Sequence, residues 1–296
     1  MEYQVKTYFF NFCRSLFKIR WLENILVKTT VGKNPFTAHS KLVPNYYQYK
    51  TGTFRKIKRN GIRFELDISN FYDWYVYFGF ADDWLENMIS FLSPGDVAID
   101  VGVNNGKSLL RIAKAVGKTG KVYGFEPAEA NFYKANRNIS INGLKNIILH
   151  KMALGFGNGK AYLNFPDKDN PGLNYFSSLN NQDKTLQAFD IIELDSVLKE
   201  KKHDDVSLIH LDVEGFETNV LKGAVSTIWK YMPVIFLKIS NEKLARSGSS
   251  NKELLNLLLS LNYNIFDADT EVELSIEEIM TLDEAAVYCL PKPKEE

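Results

Sequence analysis

Two cysteines in 296 residues, Cys13 and Cys289, stand at opposite ends of the chain, so the sequence encodes neither a disulfide framework nor a cysteine zinc site. The four histidines, His39, His150, His203 and His210, lack metal-ligand spacing as well, and no metal is expected. No run of about eighteen apolar residues occurs, which removes the signal for a transmembrane helix. The 36 basic and 36 acidic side chains cancel, so charge points to no nucleic-acid partner and no acidic one. Hydrophobic content of 45% is that of a globular protein, and a reduced, cytoplasmic setting is the default expectation.

What is present begins with Val97-Ala98-Ile99-Asp100-Val101-Gly102-Val103-Asn104-Asn105-Gly106. An apolar run ends in an acid, breaks at two glycines and leads into a helical stretch from Lys107 to Val116. A second apolar run, Lys121 to Phe125, then ends in Glu126. Strand, glycine turn, helix, strand and acid form the first half of a nucleotide-binding α/β unit. A dinucleotide needs a third glycine so that its pyrophosphate can lie on bare N–H groups, and Asp100 would repel it. S-adenosylmethionine has no phosphate but carries an ammonium and a sulfonium, which a carboxylate and amide oxygens suit. Glu126 can accept from ribose hydroxyls in either ligand. The residues favour S-adenosylmethionine, and a nicotinamide cofactor stays open as the second reading.

Residues 3–27 interleave Tyr3, Tyr8, Phe9, Phe10, Phe12, Phe17 and Trp21 with Lys6, Arg14, Lys18 and Arg20. Val5, Phe9, Phe12, Leu16 and Ile19 recur at helical steps. Arg14 and Lys18 interrupt any signal-peptide core. This face predicts packing on the protein or a second subunit, or peripheral contact with the inner face of a membrane. Residues 30–60 carry turn-formers and basic residues, Ile62 to Ile68 alternates as a half-buried strand, and Phe71 to Phe80 is densely aromatic. These aromatics suit either core packing or stacking on sugar rings. The expected division is an N-terminal extension over 1–92 and a nucleotide-binding domain over 93–292.

Beyond Glu126, helices are expected at 128–141, about 217–229 and 254–261. Strands are expected at 146–152, 160–165, 189–194, 206–212, 233–238, 263–266 and 286–290. This alternation predicts a mainly parallel sheet with helices on both faces. A polar loop over 166–185, including Asn174 to Leu179, is a surface loop or a lid. The second acidic constellation is His210-Leu211-Asp212-Val213-Glu214-Gly215-Phe216-Glu217. It lies at the carboxyl end of a strand, where open α/β sheets bind ligands. Methyl transfer to a hydroxyl needs alignment and a proton acceptor, so Asp212, Glu214 and His210 are candidates, with Asp212 foremost.

Five ordered motifs carry a family resemblance between about Gly95 and Ile239. They are Asp100 to Gly106, Lys121 to Pro127, Asn142 to Asn146 with Met152 to Gly155, Leu211 to Glu217, and Val220 to Ala224. Together they resemble the FkbM-type S-adenosylmethionine-dependent methyltransferases. The resemblance implies a class I, Rossmann-like methyltransferase fold: a seven-stranded sheet with one antiparallel strand. It implies O-methyl transfer, with sugar hydroxyls of glycans and hydroxyls of small metabolites as the usual acceptors. By position, Asp100, Gly102, Asn104 and Gly106 would line the methionine end of the cofactor, Glu126 would hold the ribose, and Met152 and Ala153 would border the adenine. Asp212 and Glu214 would face the methyl group. Three positions depart from the family pattern: Val103 replaces alanine, His210 replaces lysine, and Lys238 stands where glutamate is usual. The rival readings are a nicotinamide-dependent oxidoreductase, separated by cofactor binding, and a non-catalytic scaffold, separated by the activity of Asp212→Asn.

Overall fold

The computed structural model describes residues 11–35, 37, 39–157, 159–164, 175–177, 186–199 and 205–293. The chain falls into two compact units, with the main boundary between Asp82 and Asp83. Residues 83–92, grouped with the extension in the sequence reading, belong to the second unit.

In the first unit, α1 (Arg20–Thr29) is followed by the hairpin β1 (Phe54–Arg59) and β2 (Ile62–Asp67), then by α2 (Phe71–Phe78). Asn60 and Gly61 both have positive φ, the two-residue turn whose twist matches a hairpin. Strand β1 carries no alternation of apolar and polar residues, because four of its six residues are Arg or Lys, which read as a basic turn region. The expected strand at Ile62 is β2, with Ile62, Phe64 and Leu66 buried. Helix α2 starts at Asn70, whose side chain accepts the Tyr72 and Asp73 N–H groups, and stops at left-handed Gly79. Its Trp74, Tyr77 and Phe78, with Phe80, are buried, and the Trp74 indole donates to the Pro44 carbonyl at 2.7 Å. The aromatic segment thus builds a core, leaving Phe71, Tyr72 and Tyr75 half-buried.

The N-terminal face is not one continuous helix. Residues 11–16 are helical, a turn follows at 17–19, and Ile19 is extended before α1 begins. Phe12, Leu16 and Ile19 are exposed at 66%, 48% and 50%; Val5 and Phe9 lie outside the described residues.

The second unit opens with α3 (Asp83–Ser90), β3 (Val97–Val101), α4 (Lys107–Ala115), β4 (Lys121–Phe125), α5 (Glu129–Asn142) and β5 (Ile147–His150). After β6 (Ala153–Leu154), β7 (Gly159–Asn164), β8 (Tyr175–Ser177), β9 (Leu186–Ile192) and α6 (Leu194–Leu198) come β10 (Leu208–Leu211), α7 (Glu217–Lys222), α8 (Val225–Tyr231) and β11 (Val234–Ser240). The chain closes with α9 (Asn241–Arg246), α10 (Asn251–Ser260), β12 (Tyr263–Asp267), α11 (Ile276–Thr281) and β13 (Glu284–Pro291).

Seven strands form one sheet in the order β12-β13-β11-β10-β3-β4-β5, parallel except for β13, which inserts antiparallel between β11 and β12. This is the class I methyltransferase arrangement that the resemblance implies. Both faces are apolar, as a doubly covered sheet requires: Ile99, Ile209 and Ile235 feed one core, and Ala98, Leu208 and Phe236 the other. Strands β6 to β9 form a separate four-stranded sheet, which the sequence pattern did not distinguish from the main one. Of the expected loop at Asn174 to Leu179, only residues 175–177 are described, as β8.

One charge anchors the first unit. Glu23 is fully buried and takes the Arg55 Nε at 2.8 Å, Arg20 Nη1 at 2.9 Å and the Tyr77 hydroxyl at 2.8 Å. Removing the carboxylate strands the largely buried Arg55 guanidinium. Glu23→Ala is expected to destabilise this unit by about 3 kcal/mol in denaturant unfolding, and Glu23→Gln by less.

Candidate active site

Register builds the site. Val101 is paired with Leu211 and Leu211 with Leu237, so the next residues along, Gly102, Asp212 and Lys238, lie side by side at the carboxyl ends of β3, β10 and β11. Two residues before that row, Asp100, His210 and Phe236 are partners. Strand order reverses between β3 and β10, which makes this edge the topological switch point. Gly102 has φ 86°, and a Cβ there would sit 2.1 Å from the Asp212 carbonyl oxygen. Only glycine allows β3 to turn this close to β10.

The loop after β3 is pinned to β4, because Gly102 N–H and Val103 N–H both donate to the Phe125 carbonyl. Val103 is buried in the core beneath α3 and α4, so its two extra methyl groups are accommodated by packing. Gly106, at φ 90°, starts α4.

Asp100, which the sequence reading placed at the methionine end of a cofactor, is fully buried. One oxygen accepts from the Ser108 hydroxyl at 2.8 Å and the other meets His210 Nδ1 at 2.6 Å. A carboxylate accepts only, so Nδ1 carries the proton. The His210 ring is 3% exposed and stacks under Trp84 of α3, with centroids 5.4 Å apart and planes 23° apart. His210 is therefore a packed strand residue with one nitrogen committed.

Asp212 keeps a partly exposed carboxylate, 4.0 Å from Lys238 Nζ. Burial raises its pKa, but Lys238, His210, Lys243 and Lys107 outweigh that and hold it below the usual aspartate range. Glu214 sits in the left-handed region at φ 52°, a conformation costing about 1 kcal/mol or more. Its carboxylate is tied to Lys243 Nζ at 2.8 Å, and Lys243 also holds Glu284 at 3.0 Å. The expected trio thus shares one strand end but not one environment: Asp212 faces the edge, Glu214 is clamped, and His210 lies beneath.

Glu126 follows β4 and accepts the Asn104 N–H and the Ala128 N–H, both at 2.9 Å. Asn131 of α5 also donates to it. Asn131 Oδ1 is buried without a hydrogen-bond partner. Burial pushes the Glu126 carboxyl up to about 7, against the three hydrogen bonds, and Asp100 adds to the rise. Beyond β5, Met152 is half-buried against the core, and Ala153 is buried where β6 pairs with β9.

Several residues at this edge escaped the sequence reading. Ser108 and Asn131 are polar positions on the inner faces of α4 and α5, a detectable break in the apolar pattern. Trp84, Lys107 and Lys243 carried no local signal, since only the tertiary fold brings them to the strand ends. The Lys107 ammonium is pushed down to about 7 by burial first, then by Lys238 and Arg111, with Asp212 opposing. Burial likewise pushes Glu217 up to about 7; one of its oxygens accepts the Gly215 N–H and the other has no partner.

A ribose diol offers two hydroxyl donors, and Glu126 with the orphaned Asn131 Oδ1 offers acceptors beside a glycine loop. The residues present therefore fit S-adenosylmethionine. Because hydroxyl donors favour the ionised carboxylate, and free Glu126 titrates near 7, S-adenosylhomocysteine is expected to bind more tightly as pH rises from 6 to 8. Glu126→Gln should flatten that dependence and weaken binding, because its amide N–H₂ would confront a backbone N–H. Calorimetry across this range checks both outcomes.

The model of the Methyltransferase FkbM domain matches residues 100–265. No curated protein matches the chain in sequence. Among solved structures, the methyltransferase FkbM from Methylobacillus flagellatus is 18% identical, with 67% of this chain and 44% of that chain covered and a TM-score of 0.43. This chain therefore spans less than half of that protein's length. An S-adenosylmethionine-dependent O-methyltransferase from Thermotoga maritima is 15% identical over 73% of this chain and 66% of that one, with a TM-score of 0.41. Aeropyrum pernix fibrillarin, in complex with S-adenosyl-L-methionine, is 12% identical over 83% of this chain and 86% of that one, with a TM-score of 0.42. At these TM-scores none of the three bears on activity or substrate. The family model spans more than half of the chain, from the Asp100 strand end to β12, and the protein belongs to the FkbM methyltransferase family, whose cofactor is S-adenosylmethionine.

Proposed function

We propose that this protein transfers a methyl group to a hydroxyl oxygen of a carbohydrate or a related small metabolite. The observation that carries the reading is the Asp212 carboxylate at the switch point, adjacent in register to Gly102 and kept ionised by surrounding cations. The resemblance to FkbM-type enzymes, whose usual acceptors include sugar hydroxyls, supports the acceptor class.

When bound, the cofactor supplies an electrophilic methyl carbon on a sulfonium. Glu126 and Asn131 would hold the ribose, and the backbone of Gly102 to Gly106 would flank the methionine end. Asp212 would accept a hydrogen bond from the acceptor hydroxyl and fix the direction of its lone pair. In-line displacement depends mainly on such alignment. Asp212 would also take the proton that the acceptor hydroxyl gives up when it exchanges its O–H bond for the methyl group released from the sulfonium sulfur. Its lowered pKa makes it a weak base, which suits orientation more than early proton removal. His210 acts as a positioning residue, since its Nδ1 is committed to Asp100. Glu214 would hold Lys243 and the β10 turn rather than touch the reacting atoms.

Asp212→Asn keeps the shape and removes the charge. It is expected to lower turnover by about a hundredfold or more while leaving S-adenosylhomocysteine affinity within a few-fold. Transfer of labelled methyl to a panel of glycans and sugar derivatives measures the first quantity and calorimetry the second. Undiminished turnover in the variant would remove Asp212 from the chemistry, and labelling confined to non-hydroxylic acceptors would sink O-methylation.

A further inference from the structure

The aromatic and basic residues that open the chain take no part in the site described above. The balanced net charge conceals an asymmetry: residues 1–82 carry thirteen Lys and Arg against six Asp and Glu, and residues 83–296 carry twenty-three against thirty. Exposure sharpens it. Among the described residues of 1–82 no Asp or Glu is exposed, whereas eight Lys and Arg are, Lys18, Arg20 and Lys28 among them. Glu23 and Asp73 lie in the core, and Glu65 pairs with Lys56 at 3.4 Å.

The same stretch shows apolar side chains to solvent. Of the fifteen large apolar residues exposed among the described residues, nine fall between Phe12 and Phe54, a density beyond the single, scattered cases of an ordinary surface. Phe12 and Leu16 stand four residues apart on the helical segment 11–16, and Trp21 and Ile25, exposed at 63% and 48%, stand four apart on α1. Ile19 lies on the turn between them, so the exposed apolar series runs from one helical segment into the next. The other face of α1, with Glu23, Leu26 and Val27, is buried, so the helix is anchored without its outer face. The segment is also held in place: Arg14 Nε donates to the Lys41 carbonyl at 2.8 Å, and Gln48 Nε2 donates to the Asn11 carbonyl at 3.0 Å. Those bonds bring in exposed Leu42 and Tyr47 beside it.

We propose that this surface of the first unit docks on an anionic lipid bilayer, with Trp21, Ile25 and the Phe12–Ile19 series entering the headgroup boundary and the surrounding Lys and Arg meeting anionic headgroups. Charge complementarity selects a negative partner, and the side chains select its kind. Leu16, Ile19 and Ile25 gain nothing from a hydrated phosphodiester backbone, whereas they leave water on entering the acyl boundary. Trp settles at the headgroup level, and Lys and Arg are drawn to anionic lipid. No described helix is long and apolar enough to cross a membrane, and the proposed contact is interfacial. The inference is independent of the methyl-acceptor reading.

The test sediments the full-length protein with vesicles of phosphatidylcholine alone and of phosphatidylcholine with about one-third phosphatidylglycerol. The expected result is binding to the anionic vesicles, at least about tenfold weaker binding to the neutral ones, and weakening by salt. Trp21→Ser combined with Ile25→Ser should reduce the affinity about tenfold or more, and Lys28→Glu about fivefold. All three positions are exposed, and circular dichroism reports whether each variant keeps its fold. The proposal is overturned if anionic vesicles do not retain the protein, if neutral vesicles bind it equally, or if the folded variants bind as wild type does. It is also overturned if a single-stranded oligonucleotide binds more tightly than the vesicles and displaces them, since the basic surface then serves nucleic acid. Self-association lost in the Trp21 and Ile25 variant, without vesicle binding by wild type, assigns the face to a second copy and overturns it as well.

Discussion

The buried Asp100 carboxylate is the constraint around which the catalytic unit is arranged. A fully desolvated charge is tolerable only when its oxygens are hydrogen-bonded, and here Ser108 takes one and His210 the other. Those two partners come from α4 and β10, so one side chain fixes the start of the helix and the adjacent strand to β3. The consequences extend outward by contact. His210, held at Nδ1, presents its ring to Trp84; Trp84 in turn borders the Lys238 ammonium; and Lys238 sets the charge of Asp212. A residue that reads in the sequence as a ligand-facing acid instead acts from behind, by holding the surfaces that face the ligand.

This arrangement explains why the two carboxylates of the β10 motif differ in chemistry although they are two residues apart. Glu214 closes a strained turn in which Gly215 is required, since a Cβ on Gly215 would lie 2.2 Å from the Lys243 carbonyl oxygen. The Lys243 ammonium then clamps Glu214 across the same turn. Asp212 stands before the turn, aligned with Gly102 on one side and Lys238 on the other. Position relative to the turn, rather than residue type, decides which acid faces the open strand edge. The same logic separates Glu126 from both: burial raises its carboxyl while cations lower that of Asp212. Two acids of one site are thereby driven in opposite directions along the pH scale.

How much of this was legible follows from which interactions are local. The strands at Val97, Lys121 and Ile62 were readable because burial on a sheet imposes continuous or alternating apolar runs, and the glycine turn because positive φ restricts residue choice. Seven strands with one of them antiparallel came from the resemblance, not from periodicity, while the strand order and the identity of β13 as the antiparallel strand emerge only in the structure. Strand β1 was hidden by its arginines and lysines, and the separate β6–β9 sheet by the fact that strand patterns do not name their partners. At the site, Gly102, Glu126 and Asp212 were visible because each sits at a strand end within a few residues of its motif. Trp84, Lys107 and Lys243 were not, because what places them there is packing between segments distant in sequence, as when Trp84 stacks on His210 and Lys243 reaches Glu214. The inward orientation of Asp100 was equally hidden, since a strand-end acid reads alike whether it faces ligand or core.

The low basicity of Asp212 is consistent with methyl transfer rather than a weakness in that assignment. Proton loss from a hydroxyl becomes easy once the C–O bond is partly made, so the group that aligns the oxygen need not be a strong base beforehand. A strongly basic carboxylate at the same place would be protonated part of the time and would then donate rather than accept, turning the hydroxyl lone pair away from the methyl carbon. Lys238 prevents this by keeping Asp212 ionised. The cation that departs from the family pattern thus favours the form of Asp212 that can orient an acceptor.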